Sequence, residues 1–290
     1  MSDLSLRSPW DNLSPTRLIK LNSRLYAKFE VENPTGSIKD RPIQFIIKQA
    51  LLSGAIDSNT VLVEASSGNT GISLCAVGAS LGLPVKIIMP CNMSKERKDM
   101  MKAFGAEVLD APPSDFKSAI EMRNNLVMSR VNYWSPMQFE NPQNILCHKE
   151  TTAREIFSQV PEGASIDAFF SGAGTGGTIM GFREACIERG TSTKCMLVVP
   201  AEESSLHGIQ GIGDGGDYLV NRDLMDGIHS VTTAGSIARA KKFAMTRGVL
   251  IGISAGANLL AAERYIKDTD PAGVVVTVIC DRGERYLSNA

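Results

Sequence analysis

The chain has 290 residues, 43% of them hydrophobic and 21% charged, with a formal net charge of −1. This supports a core large enough for two lobes, because single cores stop growing at roughly 250–300 residues. It also argues against a nucleic-acid footprint and a membrane span, since there is no basic excess and no apolar run of spanning length.

The elements alternate along the chain. Leu25-Tyr26-Ala27-Lys28-Phe29-Glu30 reads as a strand, broken by Pro34 and Gly36. Pro42 suits a first helical turn, and Ile43, Ile46, Ile47, Ala50 and Leu51 recur at helical spacing. Thr60–Val63 predicts a strand, Ile72–Leu81 a helix and Pro84–Met89 a strand. Ser94–Phe104 predicts a helix capped by Ser94 and stopped by Gly105. Glu107–Leu109 follows as a strand, then a helix to about Ser129. The pattern restarts with strands at Asp167–Phe170, Cys195–Val199, Val249–Ile251 and Val274–Ile279. Continuous apolar strands separated by helices indicate an α/β fold with parallel sheets covered on both faces. Gln138–His148 reads as a crossover between two lobes.

The N-terminus, Met1-Ser2-Asp3-Leu4-Ser5, lacks the basic and apolar stretches of a secretory leader. Cys75, Cys91, Cys147, Cys186, Cys195 and Cys280 form no C-x-x-C pair and read as buried, reduced thiols of a cytoplasmic protein. His148, His207 and His229 are too dispersed for a metal site.

Lys39 stands between the first strand and the first helix, in Asn33-Pro34-Thr35-Gly36-Ser37-Ile38-Lys39-Asp40-Arg41-Pro42. The positive end of a helix dipole disfavours an ammonium there, and a lysine that gives up its proton can act as a nucleophile and form a Schiff base. Three Gly-rich loops follow strands, where ligands bind in open α/β sheets. Glu64-Ala65-Ser66-Ser67-Gly68-Asn69-Thr70-Gly71 offers hydroxyls, an amide and backbone N–H groups to a carboxylate, or simply caps its helix. Gly172-Ala173-Gly174-Thr175-Gly176-Gly177-Thr178 suits a phosphate, and no lysine follows as a P-loop would require. The same loop matches G-x-G-x-x-G, with Glu202 after the next strand, which sets a rival reading as an NAD-dependent dehydrogenase. Ser254, in Gly252-Ile253-Ser254-Ala255-Gly256-Ala257, sits at another helix start. Five glycines between Gly208 and Gly216 suggest a segment that moves over a site.

Taken together and in this order, these loops resemble the cysteine synthase family of pyridoxal-phosphate enzymes, from about Thr16 to Ser288. The resemblance rests on Asn33–Pro42, Ser66–Gly71, Gln138-Phe139-Glu140-Asn141-Pro142, Gly174–Thr178, Gly252–Ser254 and Gly283–Ser288. It implies a tryptophan synthase β-like fold of two doubly wound lobes with the active site in the cleft between them. Residues 35–140 would form the smaller, substrate-clamping lobe, and residues 1–34 with 141–290 the larger. Pyridoxal 5'-phosphate would be held by Lys39 as a Schiff base. Asn69 would meet its ring oxygen, Gly174, Thr175, Gly176, Gly177 and Thr178 its phosphate, and Ser254 its pyridine nitrogen. Ser66, Ser67, Asn69, Thr70 and Gln138 would hold the α-carboxylate, with Gly211 beside the substrate.

The implied reaction is a β-replacement through an α-aminoacrylate, in which O-acetyl-L-serine and sulfide give L-cysteine. A homodimer and a serine acetyltransferase partner are implied as well. Related reactions share the same chemistry: O-phosphoserine sulfhydrylase, cystathionine β-synthase, cysteine hydrolase or lanthionine synthase, and diaminopropionate synthase. The ending Ile279–Tyr286 looks like the B-type isozymes, whereas Gln210-Gly211-Ile212-Gly213 looks like the A-type. A phosphorylated donor would want an arginine near its leaving group. The loop has none before Arg222, and Asp214 would oppose an anion there, so O-acetylserine is favoured.

Overall fold

The computed structural model describes residues 4–289, apart from Ser67, Ser114, residues 204–207, Gln210, Asp214, Gly215 and Asp217. The chain opens with β1 (Leu18–Lys20) and β2 (Leu25–Phe29). It continues with α1 (Asp40–Leu52), β3 (Val61–Ala65), α2 (Asn69–Leu81), β4 (Val85–Pro90), α3 (Lys95–Ala103), β5 (Glu107–Ala111), α4 (Phe116–Ser129) and β6 (Tyr133–Trp134). Next come α5 (Gln143–His148), a π-helical turn (Lys149–Ala153), α6 (Arg154–Gln159), β7 (Ile166–Gly172), α7 (Gly177–Arg189) and β8 (Lys194–Pro200). The last elements are β9 (Gly227–Val231), α8 (Thr233–Arg247), α9 (Ile253–Thr269) and β10 (Val274–Ile279).

The chain divides into two compact units: Lys39–Asn141 with the N-terminal segment up to Ser14, and Pro15–Ile38 with Pro142 onward. The first unit holds a parallel sheet in the order β5-β4-β3-β6. Alternate residues of its strands face opposite layers. Leu62, Val85, Ile87 and Met89 pack with α1, α2 and α3, while Val63, Ala65 and Ile88 pack with α4. The N-terminal segment was expected with the other lobe. It belongs here because Trp10 is buried in this core and its carbonyl accepts from Gln44 of α1.

The second unit holds a sheet in the order β1-β2-β10-β7-β8-β9, parallel except for β1 against β2. Its faces also alternate. Phe170, Val198 and Val275 meet α8 and α9, and Phe169, Leu197 and Val276 meet α6 and α7. The expected α/β fold with parallel, doubly covered sheets is the one observed. Lys28, in the middle of β2, is fully buried and is satisfied by Glu155, Gln159 and the Thr16 carbonyl.

Two expectations are corrected. Val249–Ile251 is not a strand: only Ile251 bridges to Arg282, because three residues separate the glycine that ends α8 from Gly252 before α9. β9 was not foreseen, since an edge strand with alternating exposure carries no continuous apolar run. Among the described residues no helix is long and apolar enough to cross a membrane.

No disulfide joins the six cysteines, all among the described residues, but Cys91 is exposed and Cys280 half-buried, so the uniform burial expected of them does not hold. Burial pushes the Cys75 thiol up to about 12. Because the thiolate is the reactive form, iodoacetamide on the native protein at neutral pH is expected to modify Cys91 and spare Cys75. Peptide mass mapping that finds both modified at similar rates would refute this assignment.

Candidate active site

In an open parallel sheet, loops leaving the carboxyl ends of neighbouring strands diverge where the winding changes direction and leave a crevice there. In the first unit that point lies between β3 and β6, since β4 and β5 continue on the other side of β3. The loop after β3 runs into α2, and the segment after β6 contains Gln138. Four of the expected residues are thereby gathered: Ser66, Asn69, Thr70 and Gln138.

Ser66 is buried, and its Oγ accepts from the N–H groups of Gly68 (3.3 Å) and Gly71 (2.9 Å). The capping role is therefore present, and it leaves the hydroxyl proton to donate. Asn69 and Thr70 are the first two residues of α2, where backbone N–H groups lack intrahelical partners. Thr70 Oγ1 donates to Gln138 Oε1 at 2.5 Å, which ties the two side chains together. Ser67 lies outside the described residues.

Lys39 is the residue immediately before α1, as expected, and it is half-buried. Asp40 beside it is fully buried in the first turn of the helix, where a carboxylate is favoured, and accepts from Ser73 Oγ of α2. The stretch leading to Lys39 is fixed within the second unit: Ser37 bridges to Asp281, and Ile38 N donates to the Cys280 carbonyl at 2.8 Å.

In the second unit the winding changes direction between β7 and β10. The loop after β7 holds Gly174, Thr175 and Gly176, and Gly177 and Thr178 open α7. Bare backbone is required at its three glycines. A Cβ on Gly174 would lie 2.8 Å from the Gly211 carbonyl, one on Gly176 2.5 Å from Val220, and one on Gly177 2.1 Å from Asn144 Oδ1. Gly176 also has φ +95°, a conformation open to glycine. Thr175 Oγ1 accepts from Gly177 N (3.3 Å) and from Asn144 Nδ2 (3.0 Å). Thr178 Oγ1 lies 3.4 Å from His148 Nε2, whose other ring nitrogen meets Thr152 at 2.9 Å. Glycine N–H groups and two threonine hydroxyls at the start of a thirteen-residue helix fit a phosphate dianion.

The rival dinucleotide reading loses its acidic residue, because Glu202 Oε1 accepts from Thr233 N at the start of α8. The Gly208–Gly216 segment is anchored rather than loose in its described part. Ile209 and Ile212 are buried, Gly213 N donates to the Ala173 carbonyl at 2.9 Å, and a Cβ on Gly172 would collide with Ile212. Gly211 is thus brought to the cup, while Gln210 and Asp214 lie outside the described residues. Ser254 is buried in the first turn of α9. One helical turn on, Asn258 accepts from Gly172 N (2.8 Å) and donates to the Val278 carbonyl (3.1 Å), so this face of α9 meets the ends of β7 and β10.

Sequence reasoning missed Asn144, His148 and Asn258, which support the cup from behind, and it missed a charged cluster behind Gln138. Glu64 of β3 and Arg123 of α4 are both fully buried and lie 3.2 Å apart. The one available signal was a glutamate inside the otherwise apolar Val61-Leu62-Val63-Glu64-Ala65.

A family model described as pyridoxal-phosphate dependent enzyme matches residues 10–281. The chain is 35% identical to cysteine synthase of Staphylococcus aureus over 97% of each chain. Among solved structures it is similar to an O-acetylserine-dependent cystathionine β-synthase from Helicobacter pylori (31% identity, 97% of each chain, TM-score 0.90). It is also similar to a hydrogen sulfide-producing enzyme from Fusobacterium nucleatum (34% identity, 96% of this chain and 98% of that one, TM-score 0.89). A cysteine synthase from Entamoeba histolytica matches at 33% identity over 96% of this chain and 88% of that one, with a TM-score of 0.88.

Burial pushes the Glu64 carboxyl up to about 7, partly opposed by the Arg123 guanidinium; an unfolded glutamate titrates near about 4.3. The contribution of a group raised on folding is fully present below about pH 4.3 and is lost as the pH rises through about 7. The stability of the wild type relative to Glu64→Gln is therefore expected to fall by roughly 3 kcal/mol between pH 4.5 and 8. Denaturant unfolding of both proteins across that range checks this, and a flat difference would contradict it.

Proposed function

We propose that this chain, which belongs to the pyridoxal-phosphate-dependent enzyme family, replaces the β-substituent of an amino acid and makes L-cysteine from O-acetyl-L-serine and sulfide. Its cofactor is pyridoxal 5'-phosphate. When bound to an amino acid, that group acts as an electron sink for the charge that develops at Cα.

In this reading the Lys39 amine would hold the cofactor, and it would take the proton from Cα of the substrate and later return it. The N–H groups of Gly174–Thr178 and the hydroxyls of Thr175 and Thr178 take the phosphate. Asn69 meets the ring oxygen. Ser66, Ser67, Asn69, Thr70 and Gln138 hold the α-carboxylate, which orients the Cα–H bond toward Lys39, and Gly211 lines the substrate's side. The Cβ–O bond breaks with loss of acetate, and a Cβ–S bond forms with sulfide.

The observation that carries the reaction class is Ser254 at the start of α9. A hydroxyl at the pyridine nitrogen does not enforce protonation as a carboxylate would. The weaker sink that results favours loss of a leaving group at Cβ over side reactions of a long-lived carbanion. The donor assignment rests on the described part of the loop beside the cup, Gly211-Ile212-Gly213, which carries no cation to meet a phosphate. A homodimer and a serine acetyltransferase partner belong to the same proposal.

The test has two arms. Borohydride reduction of the yellow holoenzyme is expected to fix the cofactor on Lys39 by peptide mapping, and Lys39→Ala is expected to lose turnover by at least about a thousandfold. A panel of O-acetylserine, O-phosphoserine, serine and cysteine, each followed for cysteine, sulfide and acetate, is expected to give cysteine efficiently from O-acetylserine alone. Efficient release of sulfide from cysteine, with O-acetylserine idle, would overturn the donor assignment.

A further inference from the structure

The cluster behind Gln138 takes no part in the chemistry above, yet it is costly to bury. Replacing a buried ion pair by apolar residues is often neutral or stabilising, so the pair is not explained by stability alone. Three of its hydrogen bonds converge on the segment that carries Gln138. Glu64 Oε2 accepts from Gln138 N (3.3 Å), and Glu64 Oε1 accepts from Ala65 N (2.8 Å) and Arg123 Nη1 (3.2 Å). Arg123 Nη1 also reaches Ser135 Oγ, and Nη2 reaches Glu140 Oε1, each at 3.4 Å. The guanidinium thus grips the turn on both sides of Gln138.

That turn is itself under strain. Met137 has φ +51°, a left-handed conformation that a side-chain-bearing residue keeps only where its surroundings over-determine it. The turn is closed around it. Met137 N donates to Ser135 Oγ (3.3 Å), and the Met137 carbonyl accepts from Glu140 N (3.0 Å) and Asn141 N (2.9 Å). The strained residue is the one immediately before Gln138.

We propose that Glu64 and Arg123 are a positioning pair that locks the 135–140 turn against the end of β3, so that Gln138, tied to Thr70, is preset to meet the α-carboxylate of the amino-acid substrate. The proposal rests on the reaction assigned above. Neither residue touches the substrate, and their effect passes through Gln138. A carboxylate held equally in ground and transition states changes KM rather than kcat, so affinity is where the pair acts.

The test is a double-mutant cycle on the holoenzyme with Arg123→Met, Gln138→Ala and the combination. The measured quantities are KM and kcat for O-acetylserine and the Kd of L-alanine, which has the carboxylate and amine but no leaving group, titrated against the visible cofactor band. Arg123→Met is expected to raise KM and Kd about tenfold, the loss of roughly one hydrogen bond to a charged group. The cofactor band and kcat stay near wild type. In the Gln138→Ala background the same change is expected to add nothing further. Arg123→Lys keeps the cation but loses the fork, and is expected to fall between wild type and Arg123→Met.

Glu64→Gln/Arg123→Met leaves no unpaired buried charge, so thermal stability is expected to return while affinity stays low. Affinity that returns with stability would overturn the positioning role. So would a folded Arg123→Met with unchanged KM and Kd, or its full effect persisting beside Gln138→Ala. A wild type that responds to neither amino acid overturns the assigned reaction, and this proposal with it.

Discussion

Four glycines from the end of β7 into α7 have no room for a side chain, and much of the second unit is arranged around that constraint. The places where Cβ atoms would stand on Gly172, Gly174, Gly176 and Gly177 are occupied by Ile212, the Gly211 carbonyl, Val220 and Asn144. Stripped backbone at the start of α7 is what allows N–H groups to converge on a doubly charged anion at short range. The packing that demands glycine also fixes the loop. Asn258 ties Gly172 to Val278 of the neighbouring strand, and Gly213 is bonded to Ala173, so both sides of the cup are held by neighbouring elements. Ser254 shares the helix and the face of Asn258, so one cross-link positions the cup and the proposed nitrogen contact together.

The first unit solves a different problem by different means. A substrate carboxylate must be caught and released at every turnover, whereas a cofactor phosphate stays. In the proposed site that task falls to side chains rather than bare backbone: Ser66 just before α2, and Gln138 on a turn kept in place by buried charge. Thr70 spends its hydroxyl on Gln138, so the two act as one unit. Strain at Met137 and the burial of Glu64 and Arg123 each cost stability, on the order of 1–3 kcal/mol for the backbone alone. Costs of this kind gather where geometry must be preset before a ligand arrives.

The layout of strands and helices was legible because both sheets are buried on two faces, so that their strands read as uninterrupted apolar runs. The exceptions have the same physical origin. β9 and β1 are edge strands with partial exposure, and their sequences lack that run. Val249–Ile251 has the run but lies between two helix ends too close together to pair. The glycine loops could be read because special backbone geometry needs special residues. Asn144, His148 and Asn258 could not be singled out: each lies on a helix where asparagine and histidine are ordinary, and only the tertiary fold brings them behind the cup. The N-terminal segment was assigned to the wrong unit for a similar reason, since Trp10 finds its partner through a carbonyl bond to Gln44, 34 residues on.

Lys39 unites these features because of where the chain runs. It is the first residue of the first unit after the chain leaves the second, whose sheet pins Ser37 and Ile38 just before it. Its own side chain begins at the start of α1, next to a buried aspartate held by Ser73. A nucleophilic lysine on a free loop would lose orientational freedom each time it engaged a cofactor, and that loss would weaken the bond it forms. Here the preceding residues are held by the sheet of one unit and the following residues belong to a helix of the other. Its four-carbon stem is the reach available to the amine, which in the proposed reaction would anchor a cofactor and carry a proton to Cα and back.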